Sequence, residues 1–320
     1  YCVRVFLLTC YFKIKRRQRL TEEKTMRERF IGTILGAAVG DALGAPVEFW
    51  PVKEIARAHG ILNEMKGGGH FSWQPGEYTD DTAMMLCIAE SLVQNKRYVP
   101  KDIARRFLNW YKTGPRDIGG TTKKALARLD EGISFTESGV AEGRANGSVM
   151  RCAPLSLIYC HDEDALIEAS KEVSAITHSH VEAKLSCVFI NVMIAELLTG
   201  AGKKDAYAHA VKKTREIDRD FVIEYIGSSY NPEPRKGLAV NTLLLATGSF
   251  LAARSFEEAV VKAVNLGGDA DTTGAVAGAL AGAYFGRQGI PQRWSIKLNP
   301  LPDRHFMNLG EMLFNISHKS

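Results

Sequence analysis

The sequence predicts an all-α fold in a single domain. Three observations carry that reading. Apolar residues recur at helical spacing almost from end to end, convincing period-two alternation is absent, and no low-complexity linker divides the 320 residues. Hydrophobic residues make up 45% of the chain and charged ones 24%, which is enough apolar content for one large core.

Taken in order, Phe30, Ile31, Ile34, Leu35 and Ala38 share one face of a first helix. Ile103, Phe107, Leu108 and Tyr111 share another, which opens at Pro100. Leu185, Val188, Phe189, Val192 and Leu197 mark a long buried helix, and the runs Leu243–Leu251 and Ala259–Val264 mark two more. In all, roughly a dozen helices are expected. Lys66–Gly76, Glu131–Gly147 and Ser228–Lys236 are expected to be loops from their Gly, Pro and Ser content. The apolar runs are short and interrupted, so no transmembrane helix is expected.

Net charge is +5, and it lies in residues 1–25, which hold seven Lys/Arg against two Glu; the remainder balances to zero. No nucleic-acid patch is therefore expected on the body. In the tail the apolar run Val5–Leu8 precedes the basic run Lys13–Arg17, the reverse of a secretory signal. The tail is expected to be non-core, with the natural start near Met26 and the domain covering 26–320; a basic membrane or nucleic-acid arm is the alternative. Six cysteines form no CxxC pair, and several fall in helical apolar patterns, which fits a reducing cytoplasm.

Two similar acidic segments each precede a small-residue helix: Thr79-Asp80-Asp81-Thr82 and Asp269-Ala270-Asp271-Thr272. Either alone reads as an ordinary capped helix start. The second opens a helix expected over Gly274–Phe285, with Gly274, Gly278 and Gly282 spaced by four along one face. Each glycine costs about 1 kcal/mol against Ala in a helix, so the row implies tight backbone packing beneath an acidic site. Asp41 closes an apolar helix at the wrong end for the dipole and wants a partner. If Glu48, Asp80, Asp81, Asp269 and Asp271 converge, only cations relieve their repulsion, and oxygen-only donors favour Mg²⁺ or Mn²⁺ over Zn²⁺. Gly119-Gly120-Thr121 precedes a helix that is basic at Lys123 and Lys124, and reads either as a phosphate-binding helix start or as a plain turn and cap. Asn146-Gly147-Ser148 reads as a glycine turn before a capped helix.

In order along the chain, Gly-Asp-Ala-Leu-Gly-Ala-Pro-Val-Glu (40–48), Thr-Asp-Asp-Thr (79–82), Asn-Gly-Ser-Val-Met-Arg (146–151), Ile-Thr-His (176–178) and Gly-Gly-Asp-Ala-Asp-Thr-Thr (267–273) resemble the ADP-ribosylglycohydrolase family. Val47-Glu48-Phe49, Lys66-Gly67-Gly68-Gly69 and Arg116-Asp117-Ile118-Gly119 are most similar to its dinitrogenase-reductase-activating branch. The resemblance implies an orthogonal multi-helix fold and two Mg²⁺ or Mn²⁺ ions held by Thr79, Asp80, Asp81, Asp269, Asp271 and Thr272. It implies catalytic roles for Asp117, Glu48 and Asp81, with Glu48 beside the metals and Asp117 outside their shell. It places Gly119, Gly120, Thr121, Asn146, Gly147, Ser148, Met150, Arg151 and His178 around the substrate. Arg151 would pair with phosphate or brace a carboxylate. Members of that branch carry Asn where this chain has Gly120, and an aromatic where it has Leu238, so adenine stacking would pass to Tyr230 or another residue. The implied activity is metal-dependent hydrolysis of an ADP-ribosyl bond, first on protein arginine. Serine, O-acetyl or nucleic-acid linkages, a two-metal phosphoesterase or a non-catalytic crystallin-like relative are the alternatives. The expected partner is an ADP-ribosylated protein or ADP-ribose, with no membrane and no nucleic acid, for a cytoplasmic monomer.

Overall fold

The computed structural model describes residues 2–227 and 230–318, with side chains described from residue 21 onward. Fifteen α-helices occur among the described residues: α1 Cys2–Gly44, α2 Val52–His59, α3 Asp80–Asn95, α4 Pro100–Lys112, α5 Gly120–Asp130, α6 Pro154–Tyr159, α7 Glu163–Ala175, α8 Val181–Thr199, α9 Lys203–Ile217, α10 Arg219–Phe221, α11 Ala239–Ala252, α12 Phe256–Val264, α13 Ala270–Phe285, α14 Gln292–Ser295 and α15 Asp303–Ser317. No sheet forms among the described residues, only isolated bridges such as Trp50 with Gly268. The all-α expectation therefore holds.

The capped start expected at Thr79 forms, whereas Asp269 precedes α13 without a side-chain cap hydrogen bond; three further helices are capped by side chains that the sequence did not single out as caps. Thr79 accepts from the Asp81 N–H, Asp162 from Ala165, Ser255 from Glu258, and His180 from Glu182. Residues 66–76 and 131–147 carry no helix. Ser228 and Ser229 of the third expected loop lie outside the described residues.

The fold is organised by one helix pair. A methyl built on Gly274, Gly278 or Gly282 of α13 would meet the carbonyl oxygen of Gly40, Gly36 or Gly32 of α1 at under 3.0 Å, and the reverse holds for each α1 glycine. Two glycine rows therefore place these helices backbone to backbone, running antiparallel. The α13 row was legible as a close-packing face; its partner row on α1 has the same four-residue spacing. Against this pair pack α15, α12, α11 and α8. Phe30, Phe256, Phe306 and Phe314 are fully buried in the resulting core.

Two expectations need correction. The helical stretch Thr21–Val47 contains an 18-residue window that by length and composition alone could cross a membrane, with the stretch at hydropathy 1.5, but that window is buried within the protein. The helix expected from Gly274 begins at Ala270, which puts Asp271 and Thr272 inside its first turn. Residues 21–25 of the expected tail are exposed and continue α1 without a break.

Candidate functional site

Antiparallel packing places the carboxyl end of α1 beside the amino end of α13, because Gly44 lies against the Ala270 carbonyl. Just beyond α1, a single 3-10 turn over Ala45–Val47 carries Glu48. Gly267 and Gly268, both at φ 68°, turn the chain sharply into Asp269. A side chain at Gly268 would strike Pro234, and one at Gly267 would strike Trp50.

Asp41 supplies the third element. It is fully buried, and its carboxylate accepts from the backbone N–H groups of Thr79 (3.1 Å) and Thr82 (3.0 Å) and from the Thr82 hydroxyl at 2.5 Å. The partner that a carboxylate at this helix end required is thus the amino terminus of α3. Burial pushes its pKa up to about 7, and those hydrogen bonds hold it from rising further. Asp41 locks α3 to α1, so Asp80 and Asp81 project beside Asp271.

These segments line a cleft of about 320 Å³. Of the residues expected at the site, Glu48, Asp80, Asp81, Asp117, Gly119, Gly120, Thr121, Asn146, Gly147, Met150, His178, Asp269, Asp271 and Thr272 all line it. The Thr272 hydroxyl donates to Asp81 Oδ1 at 3.3 Å, joining segments 191 residues apart. Asn146 Nδ2 donates to Asp269 Oδ2 and to the Thr242 hydroxyl, both at 2.9 Å. Four carboxylate oxygens are buried without a hydrogen-bond partner: Glu48 Oε2, Asp81 Oδ2, Asp117 Oδ2 and Asp271 Oδ1. Oxygens of Glu48, Asp117 and Asp271 lie within 4.8 Å of one another. Only Asp271 of that trio belongs to the expected metal set, and Asp117, expected outside the metal shell, stands inside the cluster.

Burial, and then the neighbouring charges, raise the pKa of five of these carboxyl groups. Burial first, then the Asp117, Asp269, Asp80 and Asp41 charges, lifts Glu48 to about 9. Burial and Asp269 lift Asp117 to about 6. Burial first, then the charges of Asp117 and Asp41 on Asp80, of Asp41 and Asp80 on Asp81, and of Glu48 and Asp81 on Asp271, push these three well above the ordinary carboxylate value. Unpartnered buried acceptors in such a set fit hard divalent cations.

Asp117 is neither ion-paired with Arg116 nor the cap of α5. Arg116 pairs instead with Glu77 at 2.6 Å and lies over the Trp73 ring at 4.1 Å. Gly119, not Asp117, occupies the cap position of α5.

Two expected residues, Ser148 and Arg151, lie behind the wall, and Thr79 directly precedes the cleft-lining Asp80. Thr79 serves as the α3 cap. Ser148 is fully buried, caps nothing, and accepts from Ser174 Oγ at 2.9 Å and Cys187 Sγ at 3.4 Å; the segment after it is a short 3-10 turn, Val149–Arg151. Arg151 is fully buried over the Phe107 ring at 4.5 Å, and its hydrogen bonds go to Met84 Sδ (3.4 Å) and the Thr177 hydroxyl (2.6 Å) rather than to a carboxylate. That hydroxyl, already accepting from Arg151, is free to donate to His178 Nδ1 at 2.7 Å. Nδ1 is then an acceptor and Nε2 carries the proton. Burial, then the Arg151 charge, holds His178 down to about 3, so the ring is neutral. Gly147 has no room for a side chain, which would meet His178 Cε1 at 2.8 Å and Thr122 Oγ1 at 3.0 Å. Tyr230 does not line the cleft; its hydroxyl donates to Asn241 Oδ1 at 2.6 Å.

Phe49 and Phe71 also line the cleft and were not expected there. A larger hollow, about 590 Å³, lies between the middle of α1 and the end of α8, and none of the unpartnered buried atoms found among the described residues lines it.

Fold and cleft together define an all-α enzyme whose acidic centre sits between two helix amino termini. A model of the ADP-ribosylglycohydrolase family matches residues 22–319. The chain is 36% identical over 296 residues to the ADP-ribosyl-[dinitrogen reductase] glycohydrolase of Rhodospirillum rubrum, covering 92% of this chain and 98% of that protein. It is 34% identical over 307 residues to the ADP-ribosylarginine hydrolase Tri1 of Pseudomonas putida (strain GB-1), covering 92% and 80%. A solved structure described as an ADP-ribosylglycohydrolase-related protein complex superposes with a TM-score of 0.80 at 38% identity, covering 92% of this chain and 99% of that one. The chain belongs to the ADP-ribosylglycohydrolase family and is an enzyme of that class.

Proposed function

We propose that this enzyme hydrolyses the glycosidic bond between ADP-ribose and a protein side chain, arginine first, with two Mg²⁺ or Mn²⁺ ions in the acidic cleft. The observation that carries the reading is the convergence of four unpartnered buried carboxylate oxygens, from four separate chain segments, on one cleft. The names of the Rhodospirillum and Pseudomonas relatives support the linkage.

Asp80, Asp81, Asp269 and Asp271, with Thr79 and Thr272, would hold the ions, and Glu48 and Asp117 adjoin them. Divalent cations held there supply Lewis acidity toward ribose hydroxyls and water. The chain's own groups do the rest. Backbone N–H groups of Gly120 and Thr121 at the start of α5 bind the diphosphate, the Gly119 N–H being turned to Asp80 Oδ2 at 3.5 Å, and nothing approaches the Cβ position of Gly120. His178, neutral and protonated at Nε2, donates a hydrogen bond to the nucleotide portion. Asn146 and Gly147 border the distal ribose, while Ser148 and Arg151 hold that wall from behind. Asp117 accepts a proton from the attacking water as the water oxygen bonds to the anomeric carbon and the carbon–nitrogen bond breaks, and it then gives that proton to the departing nitrogen.

A panel assay tests the reading. ADP-ribosyl-arginine, ADP-ribosyl-serine and O-acetyl-ADP-ribose are offered to the Mn²⁺-loaded enzyme and ADP-ribose release is followed by chromatography. Fastest release from arginine is expected. Preference for serine or acetyl overturns the linkage, and no release from any overturns the activity.

A further inference from the structure

Phe49 carries two unfavourable features at the acidic cleft. Its φ is 66°, in the left-handed region where a bulky side chain is an outlier and where strain collects at functional sites. Its ring is 57% exposed, although aromatic surface is among the most favourable to bury. The local turn explains the backbone. The Phe49 N–H donates to the Gly268 carbonyl at 2.6 Å, and the Trp50 N–H donates to the Val47 carbonyl at 3.0 Å, closing a second turn directly after the 3-10 turn. That geometry suits Gly or Asn. It gives no reason for phenylalanine.

The cleft gives one. Phe49 follows Glu48 directly, and both line the cleft with Asp117 and Phe71. Phe71 belongs to the loop that flanks Asp117. It packs against His70 (4.8 Å between ring centroids) and Trp73 (5.7 Å), and His70 is near enough for its charge to act on Asp117. The Arg116 guanidinium lies over Trp73 and holds that loop in place. Two aromatic rings therefore adjoin two carboxylates.

We propose that Phe49, together with Phe71, forms the subsite for the side chain that departs from ADP-ribose, and that this subsite selects a planar cation, a guanidinium. An aromatic face backed by carboxylates recognises such a group, whereas a hydroxyl leaving group gains little from either. The inference rests on reading the cleft as an ADP-ribosyl hydrolase site, and it names the part of the substrate that the aromatic residues contact.

The test uses Phe49→Gly, Phe49→Leu and Phe49→Tyr in the full chain. Glycine relieves the left-handed strain, so the melting temperature holds or rises. For an arginine-linked peptide, kcat/KM falls about ten-fold in the Gly and Leu variants and returns in the Tyr variant. Free ADP-ribose, measured by calorimetry, binds within about two-fold of wild type. Unchanged arginine-linked turnover in Phe49→Gly overturns the proposal and leaves a bare turn. An equal loss of ADP-ribose affinity overturns it by placing Phe49 on the nucleotide. Wild-type enzyme that cleaves only serine-linked peptide overturns the guanidinium subsite while the hydrolase reading stands; wild-type enzyme that cleaves no linkage overturns both.

Discussion

Gly→Ala at two helical positions is expected to move stability in opposite directions. Gly278 lies against the Gly36 carbonyl in the α1–α13 contact, whereas nothing approaches a side chain built on Gly248 in α11, which is exposed. At Gly248 the helix gains up to about 1 kcal/mol in propensity. At Gly278 the same gain is opposed by a methyl placed closer to backbone than real Cβ atoms come. Overpacking of this kind costs about 1–3 kcal/mol, so the net loss is about 0–2 kcal/mol. Each kcal/mol moves Tm by roughly 2–4 °C in a large domain. Differential scanning fluorimetry should therefore show Gly248→Ala level or slightly raised and Gly278→Ala lowered by up to roughly 8 °C. Because α13 carries Asp271 at its amino end, the wider helix spacing should also weaken Mn²⁺ binding by calorimetry. A Gly278→Ala protein as stable as Gly248→Ala, with Mn²⁺ affinity intact, would refute the idea that backbone contact sets the site.

Asp117→Asn keeps the side chain's shape and removes its basicity; kcat should fall by about 10²–10⁴-fold with ADP-ribose affinity held within a few-fold. If Mn²⁺ affinity falls in parallel, Asp117 acts as a ligand within the cluster it forms with Glu48 and Asp271. The pH dependence of stability follows from opposite shifts. Glu48 rises from 4.5 to about 9 and Asp117 from 3.8 to about 6, so the stability they contribute is fully present below their unfolded pKa values and is lost as pH climbs through the folded ones. His178 is lowered from 6.5 to about 3, so its contribution is present above pH 6.5 and is lost as pH falls toward 3, leaving no slope from it above pH 7. Chelated protein should thus lose Tm between pH 7 and 9, and Mg²⁺ or Mn²⁺ should flatten that fall; a Tm rising over this range without metal would contradict the assignment.

Much of the site was legible because its ligand types cluster locally. Thr79–Thr82 and Asp269–Thr272 each announce a helix start, and the glycine row at 274, 278 and 282 announces close packing. The matching row at 32, 36, 40 and 44 was equally visible, but nothing local pairs two rows more than 200 residues apart. Asp41 shows the same limit: a carboxylate at the wrong helix end demanded a partner, yet only tertiary structure identifies the α3 amino terminus. Arg151 and Ser148 sit in a recognisable motif, but a short 3-10 turn rather than a capped helix points them into the core. Phe49 stands in the motif Val47-Glu48-Phe49, but its place at the cleft was not legible, because a left-handed backbone is expected of Gly or Asn and not of Phe.

On the function proposed above, the buried, unpartnered carboxylates hold divalent cations that the reaction requires. The direct measurement is ADP-ribose release from an ADP-ribosyl-arginine protein by chelated enzyme, by the same enzyme after Mg²⁺ or Mn²⁺ is restored, and by Asp80→Ala and Asp271→Ala, with far-ultraviolet circular dichroism on every sample. Turnover should vanish on chelation, return with metal, and be lost in both variants while the helical signal persists. Full turnover in chelated enzyme, with metal removal verified, would contradict it.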